Sequence, residues 1–536
     1  MNIPGLDDTK ITGSDTVSTI IQQYKKWHGY RQQWVPIWQD CYELAMPNRP
    51  GFFEEHPGQA RTDRIFDSTA VISTQHFASR VKSFVIPDHA RWSNFQPGPE
   101  IEAADRAEVA TGLADIEDYI FDTLQHNSNF DQESAIALQD CAIGMGAMIG
   151  EEGDHNEPIK WRHVPLTEIV LMGGPFGAID GVFWPRNMKA GEVKSVYPDG
   201  RYSLALSKDI QDNPEKEMHF INVTIRDRKD RGTESYDHYI ISLEHKEIVE
   251  KHRFSGEGSN PWVIFRWSPD NLYGRGPLLQ ALPDIRVANL VVELILENGE
   301  MAITGMWQYG DDTVLNPHTI QFVSGTLIPV SENSRGIEPL NSPGNFDVSQ
   351  LILEDLQNKI REALFDKPLG GLNQPVRSAT EVSERMAEFS RETGAPFARL
   401  QKELAQASLR RTNYVLKKRG KIKTLRMDGK QIRLHPVSPL GRAQDQQDIL
   451  NLDRYMEQML ARFGPQTTRV MVDEEKAGEM LADKWGVDNR LLRPAADRRE
   501  LIETMAQGAK DAAEQGIPPD QIADAMAQGG PGAPQV

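Results

Sequence analysis

Ten basic side chains crowd into one stretch of the chain: Arg410, Arg411, Lys417, Lys418, Arg419, Lys421, Lys423, Arg426, Lys430 and Arg433, with Asp428 the sole acid among them. Ammonium and guanidinium groups at that density neutralise phosphates without reading bases, the electrostatic footprint of non-specific nucleic-acid contact. The same cations favour a solvated helix C-terminus, and they also suit pairing with an acidic neighbouring subunit. Charge alone leaves the three readings open. The background sharpens the contrast. Asp and Glu number 78 against 59 Lys and Arg, a formal charge of −19, so the stretch reverses the sign of the whole chain. That acidity argues against a protein that coats nucleic acid tightly. It suits one that stays soluble at high concentration, or that lets a polyanion pass without sticking.

No other grouping has the spacing of a catalytic or metal site. The chain lacks HExxH, a phosphate-cradling GxxxxGK[ST] loop, a GxSxG elbow and paired cysteine knuckles. Its 13 histidines are dispersed. Cys41 and Cys141 are too few for a disulfide framework or a cysteine-built zinc site, and they suit a reducing compartment. The acidic pairs Glu54-Glu55, Glu151-Glu152 and Asp311-Asp312 read as solvated turns, because burying unpaired charge is costly. In CAIGMGAMIG, Gly144, Gly146 and Gly150 fall in GxGxxxG rather than dinucleotide spacing after a helix-like run, so close helix packing is the expected use. Neither a catalytic residue, a metal ligand set nor a cofactor is expected.

Those basic residues depend on the elements that carry them. Trp27, Tyr30, Trp34, Trp38 and Tyr42 recur at threes and fours, placing their rings on one face of a packing helix that Pro47 and Pro50 end. A loop over residues 51–64 leads to a second helix, with Asp67 and Ser68 as its caps. Helices are predicted over 102–127 and from Phe130 to about Gly150. Between Ile159 and Trp267 the hydrophobic period shifts to two, predicting an antiparallel β-rich region. Pro277 opens an apolar helix from Leu278 to about Glu300, and Asp347 to Phe365 forms another, with strand-like runs in the excursion between them. After KPLGGLNQPVRSA, a long helix runs from Thr380 to about Gly420, kinked at Gly394 and Pro396. Helical segments follow Gly441, and the composition from Gly529 is that of a disordered tail. No apolar run approaches the roughly 18 residues of a spanning helix. The opening MNIPGLDDTKITGSDT has neither the basic nor the apolar segment of a secretory signal. The class is α+β.

Four stretches in this order carry a family resemblance: the tryptophan-rich opening, RTDRIFDSTAVISTQHFASRVKSFVIPDHARW at 61–92, DNLYGRGPLLQALPDIRVANLVVE at 270–293 and ATEVSERMAEFSRETGAPFARLQKEL at 379–404. Over residues 20–500 the chain resembles the head-to-tail connector, or portal, family of short-tailed double-stranded DNA phages. The resemblance implies an α+β portal fold assembled as a ring of twelve copies at one capsid vertex of the virion, built in the bacterial cytoplasm. Its channel would pass DNA inward in packaging and outward in ejection, with a separate ATPase supplying the energy and no enzymatic activity in the chain itself.

The resemblance also implies a division of the chain. A helical and β-rich wing takes residues 1–275, stem helices take 276–300 and 347–366, and a clip takes 301–346. A channel loop follows at 367–378, then a long kinked wing helix with a β segment at 379–440, a helical crown at 441–515 and a flexible tail at 516–536. Implied partners are further copies of the chain, double-stranded DNA without sequence preference, the terminase motor, tail adaptor and nozzle proteins, major capsid and scaffolding proteins, and internal core proteins. No membrane is among them. Lys367 and Arg377, with Lys359 and Arg361, are the candidates for channel-side DNA contact. Two other readings stand beside this one: a structural ring or tail adaptor without a genome-conducting channel, and a metal-dependent nucleic-acid enzyme, which needs carboxylates gathered around a metal.

Overall fold

The computed structural model describes residues 13–49, 63–88, 91–98, 101, 106–228, 234–304, 306–309, 337–340, 346–366, 394–422, 432–436, 439–472 and 474–485, with Thr504 and Gln507. Along the chain come α1 (Gly13–Gln32), α2 (Val35–Ala45), α3 (Thr69–Val85), β1 (Ser93–Pro97), α4 (Arg106–Gln125), α5 (Phe130–Cys141), β2 (Met145–Glu152) and β3 (Ile159–His163). Next are β4 (Val170–Gly173), β5 (Ile179–Lys189), α6 (Val193–Val196), α7 (Leu204–Asp212), β6 (Glu217–Asp227), β7 (Ser235–Ser242), β8 (Glu247–Ser255) and β9 (Trp262–Arg266). Then follow α8 (Pro277–Thr304), β10 (Met306–Tyr309), β11 (Ile337–Leu340) and α9 (Phe346–Ala363). Helix at 394–400 passes through a π-turn, Gln401–Gln406, into α10 (Ala407–Lys418), followed by β12 (Ile432–Pro436), α11 (Pro439–Met471) and α12 (Glu474–Trp485). The chain divides into two units. One comprises Met1–Val85, Asn129–Glu151 and Lys160–Ala407, and the other Ile86–Ser128, Glu152–Ile159 and Ser408–Val536.

The first unit is built on a five-stranded sheet ordered β4-β5-β6-β7-β8, each neighbour antiparallel. Alternation along β6 serves both of its faces. Ile221, Val223 and Ile225 pack with Val17 and Ile20 of α1, while Met218 and Phe220 pack with Val193, Leu206 and Ile210 of the α6–α7 cap. A second sheet, β3-β2-β9, meets the first through Trp262. Its ring stands edge-on to Trp184 at 5.8 Å, and its Nε1 donates to Thr224 Oγ1 at 3.0 Å.

Most predicted elements form, with two corrections. The aromatic stripe is split between α1 and α2, because Pro36 in the first turn of α2 cannot donate to the preceding turn and clashes with it. Its rings do pack: Trp34 stacks on Trp38 at 6.3 Å, and Trp38 meets Tyr273 edge-on at 5.0 Å. The helix expected to reach Gly150 stops at Cys141, and the glycine-rich run forms β2 instead. The glycines sit in a strand rather than a helix, where Gly146 admits both the backbone of α5 and an aromatic ring of β9, and Gly150 admits a ring of β3. A Cβ on Gly146 would lie 2.4 Å from Ala137 O and from the Phe265 ring, and one on Gly150 would lie 2.9 Å from the Trp161 ring. The Asp67 cap forms as expected, its Oδ1 accepting from Thr69 N at 3.2 Å and Thr69 Oγ1 at 2.8 Å. Cys41 and Cys141 are buried and unbridged, and burial pushes the Cys41 thiol up to about 12. Among the described residues no helix is long and apolar enough to cross a membrane.

In the second unit, β1 pairs antiparallel with β12, and α4 lies against β1. Trp92 meets Phe121 edge-on at 4.7 Å. Buried Glu117 accepts from Phe95 N at 3.0 Å and pairs with Arg91. Gly464, at φ 73, breaks α11 in two, a conformation glycine adopts without a Cβ penalty.

One buried charge ties the first unit together. Asp140 accepts from Tyr42 Oη at 3.2 Å and from His163 Nε2 at 2.7 Å, with Arg49 Nη1 at 3.7 Å. Burial alone would raise its pKa, but Arg49, His163 and Tyr42 together hold it below the ordinary carboxylate value. A depressed folded pKa means that this contribution is in place above about pH 4 and is lost as the pH falls through the lowered value. Asp140→Ala is expected to cost about 3–5 kcal/mol, since it strands buried cationic and polar partners. Denaturant unfolding of variant and parent at neutral pH checks the loss, and the gap should narrow in acid.

Candidate nucleic-acid interface

Helix α8 starts against the end of α5. Pro277 occupies its first position, where the missing N–H costs nothing. Leu278 N donates to Ala142 O at 2.9 Å and Gly276 N to Ile143 O at 2.7 Å. Leu278, Ala281, Leu282, Ile285 and Ala288 are buried at helical spacing. Helix α9 packs alongside, burying Leu356 and Ile360, with Leu364 buried just beyond its end. The 64–67 turn is gripped by both helices. Asn289 Oδ1 accepts from Phe66 N at 2.7 Å, its Nδ2 donates to Arg64 O at 2.9 Å, and Gln357 Nε2 donates to Asp67 Oδ1 at 3.2 Å. Farther along, the pair remains apolar but uncovered. Val287, Leu290, Leu294 and Leu296 on α8 and Leu351 and Ile352 on α9 are exposed, Leu351 at 70%.

Lys359 and Arg361 lie on α9, both exposed. Two residues apart on a helix, they project about 200° from each other and cannot serve one surface. Lys359 Nζ sits 2.7 Å from Asp355 Oδ2, and that hydrogen bond raises its pKa. Lys367 and Arg377 lie outside the described residues. The described chain ends its α9 segment at Asp366, which is held by α3. Ser73 Oγ donates to Asp366 Oδ2 at 2.9 Å, His76 Nδ1 lies 2.8 Å from Oδ1, and Arg80 Nη2 lies 3.7 Å away. Arg80 also donates to Phe365 O, and the Phe365 ring packs on Trp267 at 5.8 Å.

The basic segment does not form one surface. Arg411 is buried against the Tyr414 ring at 5.3 Å, and Arg410 is half-buried. Lys418 pairs with Glu152 at 2.5 Å, and Arg419 donates to Asp154 O at 2.6 Å and to Gly153 O, clasping the β2–β3 turn. Lys417 is half-buried and Lys421 exposed. Gly420, at φ 69, ends the helix: its N–H reaches Lys417 O at 2.9 Å, and Lys421 N reaches Leu416 O at 3.0 Å. Lys423, Arg426 and Lys430 lie outside the described residues, and Arg433 stands on β12 opposite Gln96. Of the acidic pairs, Glu151-Glu152 is exposed at the end of β2, while Glu54-Glu55 and Asp311-Asp312 lie outside the described residues. Among the described residues no group of three or more His, Cys, Asp or Glu could hold a metal. Sequence spacing missed the Asp140 and Asp366 nodes because their partners are far apart along the chain.

Residues 17–492 match the profile of the family described as bacteriophage head to tail connecting protein. Among solved structures, a chain of the virion of a native gene transfer agent particle is similar over 81% of this chain and 97% of its own, at 14% identity and a TM-score of 0.36. A chain from the neck of an empty gene transfer agent particle, computed with C6 symmetry, covers 74% and 86%, at 14% identity and a TM-score of 0.33. No curated protein matches.

Asp366→Ala is expected to cost about 1–3 kcal/mol, as it leaves Ser73, His76 and Arg80 without their shared acceptor. Hydrogen exchange should rise in the last turn of α9 and little elsewhere. Unchanged protection there would show that the node does not anchor the helix end.

Proposed function

The chain belongs to the bacteriophage head-to-tail connecting protein family and is a portal protein of the head–tail junction of a virion; from that premise we propose that twelve copies close into a ring whose channel is walled by α8 and α9. The observation that carries the reading is the uncovered apolar set on these two helices. Fully burying one such side chain is worth roughly 1.5–3 kcal/mol. A closed ring gives every copy two neighbours and so covers helices that are apolar on more than one side.

In this reading α8 and α9 are the stem, and the excursion between them, based on the β10–β11 pair, is the clip that meets terminase first and tail adaptor or nozzle proteins later. Residues 367–378 form the channel loop, 379–440 a long wing helix with its β segment, 441–515 the crown, and 1–275 the rest of the wing. Capsid, scaffolding and internal core proteins complete the partners. DNA passes without base readout, so contacts to phosphate suffice. Lys367, Arg377 and Arg361 are the channel-side cations, whereas Lys359, which projects from the other side of α9 and is already compensated by Asp355, is set aside. The acidic chain limits adhesion of the passing polyanion, and the terminase motor supplies the work.

Leu290→Asp combined with Leu294→Asp is expected to yield a folded chain that no longer forms rings, read by sedimentation and circular dichroism. Negative-stain images of the parent should show wide-winged rings with an axial hole. A plugged plate would favour the adaptor reading instead. Lys417→Glu with Lys421→Glu should leave rings intact and lower the salt slope of DNA association by about one per lost phosphate contact. An unchanged slope would leave these residues as a solvated helix end.

A further inference from the structure

Two arginines share one indole. Trp184 on β5 is 1% exposed, with Arg162 Cζ 5.0 Å from its ring centre and Arg186 Cζ at 4.8 Å. The ring is itself fixed twice: its Nε1 donates to Glu168 Oε2 at 2.9 Å, and Trp262 meets it edge-on at 5.8 Å. Arg186 follows Trp184 by two positions on the same strand and so stands on the same face. It lies beside the Tyr197 hydroxyl, where it opposes the rise in pKa that burial causes. Arg162 comes from β3, the outer strand of the second sheet. Side chains pin the residues on either side of it. Asn129 Oδ1 accepts from Trp161 N at 2.8 Å, Asn129 Nδ2 donates to Trp161 O at 2.7 Å, and Glu133 Oε2 accepts from His163 N at 2.6 Å. Both cations are therefore placed by the structure around them rather than by pairing with an acid.

Among the described residues no carboxylate lies within ion-pairing distance of either guanidinium. Other arginines on the same two sheets are compensated. Asp180 takes both prongs of Arg228, Asp227 accepts from Arg253 Nη2 at 2.7 Å, and Glu403 accepts from Arg266 Nη2 at 3.0 Å. At the shared ring, Glu168 is occupied by the indole N–H. Glu151, whose charge is felt at Tyr197, makes no ion pair with either arginine. Holding two like charges at one ring costs Coulomb energy, and an anion from outside removes that cost.

The geometry also selects the anion. Stacking on a ring uses the face of a guanidinium and leaves its in-plane N–H groups to a ligand. A single carboxylate is matched by a single arginine, as Asp180 and Arg228 show. Two forks held together match an anion with more charge and more acceptor oxygens, and a phosphate group has both. We propose that Arg162 and Arg186 form a phosphate-binding site, with Trp184 as the residue that positions them. None of the three belongs to the basic stretch or to the channel-side cations. The same two forks serve free phosphate or the backbone phosphates of DNA.

The test reads the thermal unfolding of the full chain in low-millimolar inorganic phosphate, and the salt dependence of its binding to a short DNA duplex. Phosphate should raise the melting temperature of the parent, and Arg162→Gln with Arg186→Gln should abolish that rise. Arg162→Lys with Arg186→Lys keeps the charges without the planar forks. It should retain a smaller rise, which separates loss of the site from loss of the fold. Where the site meets DNA, the glutamine pair also lowers the salt slope by about two, one for each lost phosphate contact. An unchanged slope beside an abolished rise assigns the site to free phosphate. No rise in the parent, or an equal rise in parent and glutamine pair, overturns the proposal. A larger rise with poly-glutamate than with phosphate also overturns it, since that assigns the arginines to an acidic peptide. The phosphate measurement needs no assembled ring, so its failure leaves the ring reading standing.

Discussion

Ala142, Ile143 and Gly144 offer three consecutive backbone carbonyls, and the chain from the end of β9 into the first turn of α8 takes all of them. Leu278 N bonds Ala142 O at 2.9 Å, Gly276 N bonds Ile143 O at 2.7 Å, and Trp267 N bonds Gly144 O at 2.9 Å. This approach is possible only because side chains are missing. A Cβ on Gly276 would lie 2.1 Å from Ala142 O, and one on Gly144 would lie 2.8 Å from Gly274 O. Two residues before Ala142 stands Asp140, whose carboxylate is fixed by Tyr42, His163 and Arg49. The starting point and direction of α8 are thus set by backbone contact beside a compensated buried charge. Helix α9 packs on α8, and the exposed leucines of both inherit that placement.

Where the fold was legible in advance, local chemistry punctuated it. Pro277 marks the start of α8, Asp67 caps α3, and the period-two runs after Ile159 become the β-rich core. The errors came where one residue type serves two geometries. Spacing of three and four in the tryptophan stripe says nothing of Pro36, which divides it into two helices. Small residues at Gly144, Gly146 and Gly150 announce close approach, but not whether the neighbour is a helix or an aromatic ring in a sheet. The nodes at Asp140 and Asp366 were illegible, because each joins residues separated by tens to hundreds of positions and no periodicity links them.

Charge was legible as a pattern but not as a set of roles. The basic stretch stands out at once against a chain of net charge −19. The fold nevertheless directs several of these cations inward. Arg411 lies in the core against Tyr414, Lys418 answers Glu152, and Arg419 supplies donors to two carbonyls of the β2–β3 turn. The helix closure at Gly420 gives the last turn carbonyls that favour nearby cations. A count of positive residues therefore overstates the charge available to an outside polyanion.

The β10–β11 pair has a consequence for how this protein can change over time. Its four-residue register, Met306↔Leu340 to Tyr309↔Ile337, closes a stretch of chain at its base, with β10 beginning two residues after the last residue of α8. Once such a base is closed, lengthening the enclosed segment is thermodynamically mild: doubling it adds only about 0.6 kcal/mol of closure entropy. Sequence and length within 310–336 can thus drift, be exchanged or expand while α8 and α9 keep their seating. The closed base thus separates the seating of α8 and α9 from the length and composition of the segment between them.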